Sequence, residues 1–180
     1  MKQYDCIFLD RDGTLNPDSG YINNIDKFNF YKFSIPALRK MSKNGNRFCI
    51  ITNQSGLGRG IIDYGNFKKI NNYIFDEFRK HSIQLLDIYY CPDHPNNASA
   101  RRKPGPGMFL EAKERYNLNL MNCLMIGDSI IDIIAGEFLG IDTMLVLTGK
   151  GKNTLSYVNN YHNVTYIVKN LKEGAEILCP

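Results

Sequence analysis

Short apolar runs recur along the chain, separated by stretches long enough to hold a helix. Residues 4–9, 47–52, 85–90, 124–126 and 143–147 each form such a run, with a weaker one at 165–168. Brief, nearly continuous apolar segments predict strands buried in a sheet. Between them the period changes. Phe67, Ile70, Ile74, Phe75 and Phe78 fall on one face at helical spacing. Helices are also expected over 108–116 and 130–139. Ser34 followed by Pro36 reads as a cap with an early helical proline, and that helix should end near Gly45. Residues 152–180 should add an edge strand and a final helix over 171–178.

Strand and helix alternating in this way imply right-handed crossovers and a mostly parallel sheet covered on both faces. The expected class is α/β, a three-layer sandwich, with residues 1–180 forming one domain. Ligands of such sheets gather outside the carboxyl ends of the strands. The polar residues obey that rule: Asp10 and Asp12 follow the first strand, Thr52 and Asn53 end the second, and Asp128 follows residues 124–126. The connections from Asp10 to Ser34 and from Cys91 to Gly107 are longer than most loops. Both should shape the mouth of a site.

Composition narrows the function classes. Hydrophobic residues make up 43% of the 180 residues and charged ones 22%, as in ordinary globular domains. The net charge of +4 is mild and spread out, so it would attract an anionic ligand without forming a nucleic-acid face. No apolar stretch approaches a membrane span, and the N-terminal residues contain no secretory h-region. The five cysteines are odd in number and lack framework spacing, so they predict reduced thiols in a cytoplasmic protein. A monomer is expected.

The run DRDGTLN, residues 10–16, ends the first apolar segment on two carboxylates, although acidic groups are costly beside a core without a partner. Gly13 permits a sharp turn close to a ligand. Taken singly, each polar position has a plain explanation. Asp128 could cap the following helix, Lys103 could be a solvated lysine and Thr52 a β-branched strand residue. Asp132 could steady a metal or simply occupy a first helical turn.

Taken together, these residues resemble the haloacid dehalogenase (HAD) superfamily of phosphotransferases. Its four motifs occur in order as DRDGT (10–14), Thr52 of ITNQSG, Lys103 of RRKPGPGM, and GDSIID with Asp128. The resemblance implies a HAD-like Rossmannoid fold without a separate cap domain. It implies that Asp10 is the nucleophile of an aspartyl-phosphate intermediate and that Asp12 is the acid and base, with Arg11 between them pointing elsewhere. Thr52 and Lys103 would stabilise the transferring phosphoryl group. Magnesium would be held by Asp10, the Asp12 carbonyl and Asp128, with Lys103 leaving the pocket net positive.

Through DRDGTLN, DSGYI, ITNQSGLGRG, YYCPDHP, RKPGPGM, GDS and LTGKG, over about residues 5–151, the chain looks like the D-glycero-D-manno-heptose 1,7-bisphosphate phosphatases and the related histidinol-phosphate phosphatases. That resemblance implies a phosphorylated sugar as substrate, contacted by Asp18, Ser19, Gly20, Tyr21, Thr52, Asn53, Gln54, Ser55, Arg102, Lys103 and Ser129. Removal of the C7 phosphate is the leading expectation. Histidinol phosphate or a polynucleotide 3′-phosphate is the alternative, and a catalytically dead binding module is the reading outside enzymes. The family's structural zinc is not expected here: Cys91 is retained, but Asp93, Ser99 and Arg101 stand where the other ligands would be. Ser129 replaces a lysine common in the heptose enzymes, which removes a charge from the expected substrate surface.

Overall fold

The first apolar run forms β1 (Cys6–Leu9), with all four residues buried. Burial on both faces suits a central strand. β1 pairs in parallel with β2 (Arg47–Asn53) on one side and β4 (Cys123–Gly127) on the other. β3 (Leu85–Cys91) extends the sheet beyond β2, while β5 (Asp142–Val146) and β6 (Tyr166–Val168) extend it beyond β4. The order is β3-β2-β1-β4-β5-β6 and every pairing is parallel. The structure, a computed structural model, describes residues 2–180.

Alternation along the strands divides the core. Ile7, Leu9 and Ile50 face α1 (Ser34–Lys43), α3 (Tyr64–Lys80) and α7 (Leu171–Leu178), meeting Leu38, Met41, Ile74, Phe78 and Leu178. Cys6, Phe8 and Met125 face the opposite way, toward α4 (Gly107–Tyr116) and α5 (Ile130–Leu139). Phe8 meets Phe109 edge-on, with ring centroids 5.0 Å apart. Each such side chain contributes about 1.5–3 kcal/mol by leaving water. All five cysteines are buried and unpaired.

Two local expectations change. Ser34 does not cap α1: Phe33 holds that position, and the Ser34 hydroxyl donates to the Leu15 carbonyl at 2.8 Å, tying the helix to the turn after β1. The tail expected to add only an edge strand and a final helix also contains α6 (Gly151–Tyr161). Its apolar stripe is thin. Val158 packs on Ile133 and Leu145, with Leu155 partly buried against them, while the buried Thr154 donates to the Asp128 carbonyl at 2.8 Å. No helix among the described residues is long and apolar enough to cross a membrane.

Candidate active site

The carboxyl ends of β1, β2 and β4 open onto a cleft of about 410 Å³. Asp10 and Asp12 reach it directly from β1. The turn after Asp12 bends sharply back, with Gly13 at φ +89° and its N–H donating to the Asn16 carbonyl at 2.7 Å. A Cβ on Gly13 would lie 2.1 Å from Asp128 Oδ2, and one on Gly149 (φ +51°) would lie at the same distance. Two glycines therefore let the loops after β1 and β5 close around Asp128. Its Oδ2 accepts from the Lys150 amide at 2.7 Å. Asp128 precedes α5 without capping it, since Ser129 takes the cap position.

Lys103 arrives from the loop after β3. Its ammonium donates to Asp10 Oδ1 at 2.7 Å and to Asp132 Oδ1 at 2.6 Å, and the lysine is 3% exposed. Its backbone is held as well: the Asn53 amide donates to the Lys103 carbonyl and accepts from its N–H, both at 3.0 Å. Asp132 Oδ2 accepts from the Ser129 N–H at 3.1 Å. Asp132 is therefore neither a mere first-turn residue nor idle.

Charges set the pKa pattern. Burial pushes the Asp10 carboxyl well up; Lys103 opposes that, and Asp132 and Asp128 add to it. Burial and Asp132 push Asp128 up to about 6. Burial would lower the Lys103 ammonium, but Asp10 and Asp132 outweigh it and hold the ammonium above the usual lysine range. One oxygen each from Asp10, Asp128 and Asp132 lie within 4.8 Å of one another. Three carboxylates against one ammonium leave two negative charges, and hard oxygen donors with that surplus fit a divalent cation such as magnesium. Asp132 absorbs the charge of Lys103, so the pocket is not left net positive as expected; positive charge enters only at the rim, from Lys150 and Arg102.

Of the sequence-predicted substrate residues, Asp18, Gly20, Tyr21, Thr52, Asn53, Gln54, Ser55, Arg102, Lys103 and Ser129 border the cleft, while Ser19 does not. Several are already engaged. The Asn53 side chain is spent on Lys103. The Gln54 amide donates to Asp12 Oδ2 at 2.8 Å and lies 2.9 Å from the Thr52 hydroxyl. Arg102 donates to the Asp93 carbonyl at 2.8 Å. Lys150 reaches across the mouth to Asp18 at 3.2 Å. No charge pattern in the sequence joined those two loops.

Arg11 does not point elsewhere. It is 1% exposed and turns its guanidinium back on its neighbour, with Nη2 2.7 Å and Nε 3.1 Å from the Asp12 carboxylate. Burial raises the Asp12 carboxyl, but Arg11, Asn16 and Gln54 outweigh it and hold it below the usual carboxylate range.

Residues 100–174 match the HAD-hydrolase-like family model. The chain is 37% identical to the D-glycero-beta-D-manno-heptose-1,7-bisphosphate 7-phosphatase of Pasteurella multocida, covering 93% of this chain and 98% of that protein. The chain belongs to the HAD-like phosphatases. Another member of that family, the 7-phosphatase of Photorhabdus laumondii, is 38% identical over 83% of this chain and 84% of its own length. The D,D-heptose 1,7-bisphosphate phosphatase of B. bronchiseptica, crystallised with magnesium and phosphate, superimposes with a TM-score of 0.88. It is 31% identical and covers 96% of this chain and 97% of its own. The HAD-like fold, with its all-parallel sheet, is thus the one the sequence led us to expect.

Proposed function

We propose that this phosphatase removes the C7 phosphate of D-glycero-D-manno-heptose 1,7-bisphosphate, the substrate named for its relatives. The observation that carries the chemistry is Lys103 within 2.7 Å of Asp10, across 93 residues of sequence, in a cleft sized for a small molecule. Phosphoryl transfer needs positioning and charge neutralisation more than new covalent machinery. A protonated Asp12 gives its proton to the C7 oxygen as Asp10 attacks phosphorus and the bond to that oxygen breaks, leaving an aspartyl-phosphate, the sugar hydroxyl and an Asp12 carboxylate of the kind its Arg11, Asn16 and Gln54 donors favour. Asp12 then takes a proton from the water that attacks the intermediate. This releases phosphate and restores the Asp10 carboxylate. Lys103 and the Thr52 hydroxyl face the transferring oxygens, and Arg102 and Ser129 stand toward the rest of the substrate.

Magnesium, held by Asp10, Asp128 and the Asp12 carbonyl, would offset the charge of the incoming dianion. Structural zinc does not enter this reading. Asp93 accepts from the Ser99 N–H at 2.8 Å and His94 accepts from the Asn96 N–H at 3.2 Å, which leaves the buried Cys91 without a set of four ligands. Stoichiometric zinc in purified protein would contradict it.

The test is phosphate release from the heptose bisphosphate in magnesium buffer, beside histidinol phosphate and a 3′-phosphorylated oligonucleotide. Rapid release with the C1 phosphate retained supports the assignment, as does loss of turnover in a folded Asp10→Asn variant. Faster turnover of either competitor overturns the substrate, and an active D10N overturns the mechanism.

A further inference from the structure

We infer that Arg11 is the positioning residue for Asp12: its buried guanidinium fixes the carboxylate where it can serve the leaving oxygen and then the attacking water. The inference rests on the acid–base role proposed above for Asp12 and assigns a residue to which that role had given no part.

A guanidinium cannot shed its charge, and removing it from water is expensive even when paired. Arg11 is nevertheless 1% exposed, seated with its central carbon 6.0 Å from the ring centroids of both Phe28 and Phe67. Its Nη1 is buried and meets no acceptor among the described residues. A side chain serving stability alone would gain by satisfying that group or by being apolar. Its remaining hydrogen-bonding atoms, Nε and Nη2, go to a single acceptor, the Asp12 carboxylate.

Asp12 lies on the boundary between this buried cation and the cleft, with its side chain 18% exposed. Asn16 donates to Oδ1 at 2.9 Å and Gln54 to Oδ2 at 2.8 Å. The carboxylate thus has donors behind and beside it, and its open side is the cleft. An Arg fork is planar and directional, so it fixes the rotation of the carboxylate as well as its place. Misplacing a catalytic group by about 1 Å can cost about 10²-fold. The two rings in turn seat the guanidinium, so the orientation of Asp12 is set by the packing around Arg11.

A double-mutant cycle tests this with Arg11→Met, Asp12→Asn and the pair, using the heptose bisphosphate and an aryl phosphate whose leaving group needs no proton. Thermal melts verify folding. If Arg11 acts through Asp12, R11M lowers kcat by about 10²-fold with KM changed less than about threefold. R11M added to D12N then costs nothing more. On the aryl phosphate, R11M gives a rapid burst of one phenolate per enzyme before slow turnover, because only water activation is impaired. Equal, additive losses in both backgrounds, or a rise in KM without a fall in kcat, overturn the inference. If R11M does not fold, Arg11→Lys takes its place in the same cycle under the same criteria. Full activity in D12N would instead overturn the acid–base reading itself, a result distinct from additivity.

Discussion

Asn53 and Lys103 exchange two hydrogen bonds, each 3.0 Å long, between one side-chain amide and one backbone. This clamp joins the end of β2 to the loop after β3, and it aims a buried ammonium at Asp10. Asn53→Leu removes both bonds at nearly the same volume. The expected outcome is a loss of about 1–3 kcal/mol in stability from the stranded backbone groups and at least a tenfold fall in kcat. Thermal melts and steady-state kinetics check it. Near-normal kcat would mean that the prolines and glycines of the loop hold Lys103 without help.

Asp132 divides the charge of Lys103 with Asp10. Asp132→Asn retains an acceptor but loses the anion. The ammonium should then be drawn wholly to Asp10, weakening the nucleophile. A fall of about 10–100-fold in kcat is expected, with the midpoint of melting changed by a few degrees at most. Stopped-flow measurement of aspartyl-phosphate formation would locate the loss in the first step.

Gly149 leaves room for Asp128. Gly149→Ala would put a methyl group 2.1 Å from Asp128 Oδ2 on a backbone at φ +51°. Asp128 must move, so about tenfold more magnesium should be needed for half-maximal activity. EDTA should silence the wild type, and added magnesium should restore it. An unchanged magnesium titration in a folded G149A would remove Asp128 from the metal set.

Asp142, remote from the cleft, bonds the Tyr4 hydroxyl at 2.6 Å and pairs with Lys2. Burial pushes its carboxyl up, but the hydrogen bonds from Lys2 and Tyr4 outweigh this and hold it below the usual range. A folded-state pKa below the unfolded one stabilises the protein above the unfolded value, and that stability is lost as pH falls through the folded value. Asp142→Ala should therefore cost about 1 kcal/mol at neutral pH, a drop of about 2–4 °C. The gap to wild type should narrow below about pH 4. Melts at several pH values check the sign.

Much of this was readable in one dimension. Strands such as β1 and β2 declare themselves because both faces are buried and the whole run must be apolar. The α3 face declares itself because one stripe of a helix meets the core. α6 did not, because the buried positions of its polar sequence include a threonine and a glycine, which periodicity does not count. Asp10, Asp12 and Asp128 could be selected together because parallel sheets deliver polar residues to one rim, whereas Lys103, in a loop, stood out only through the family resemblance.

The sequence by itself determined the alternation of strands with most of the helices and the rim on which the carboxylates sit. Only the tertiary structure decided how they are partnered. Asn53 clamping Lys103, Asp132 taking half its charge, Lys150 crossing to Asp18 and Arg11 turning back on Asp12 all depend on side-chain direction after the loops have closed. Hydrophobic patterning is periodic and local, so it is written along the chain. The partners named here lie 1 to 132 residues apart with no period at all, so folding has to bring them together before their contacts exist.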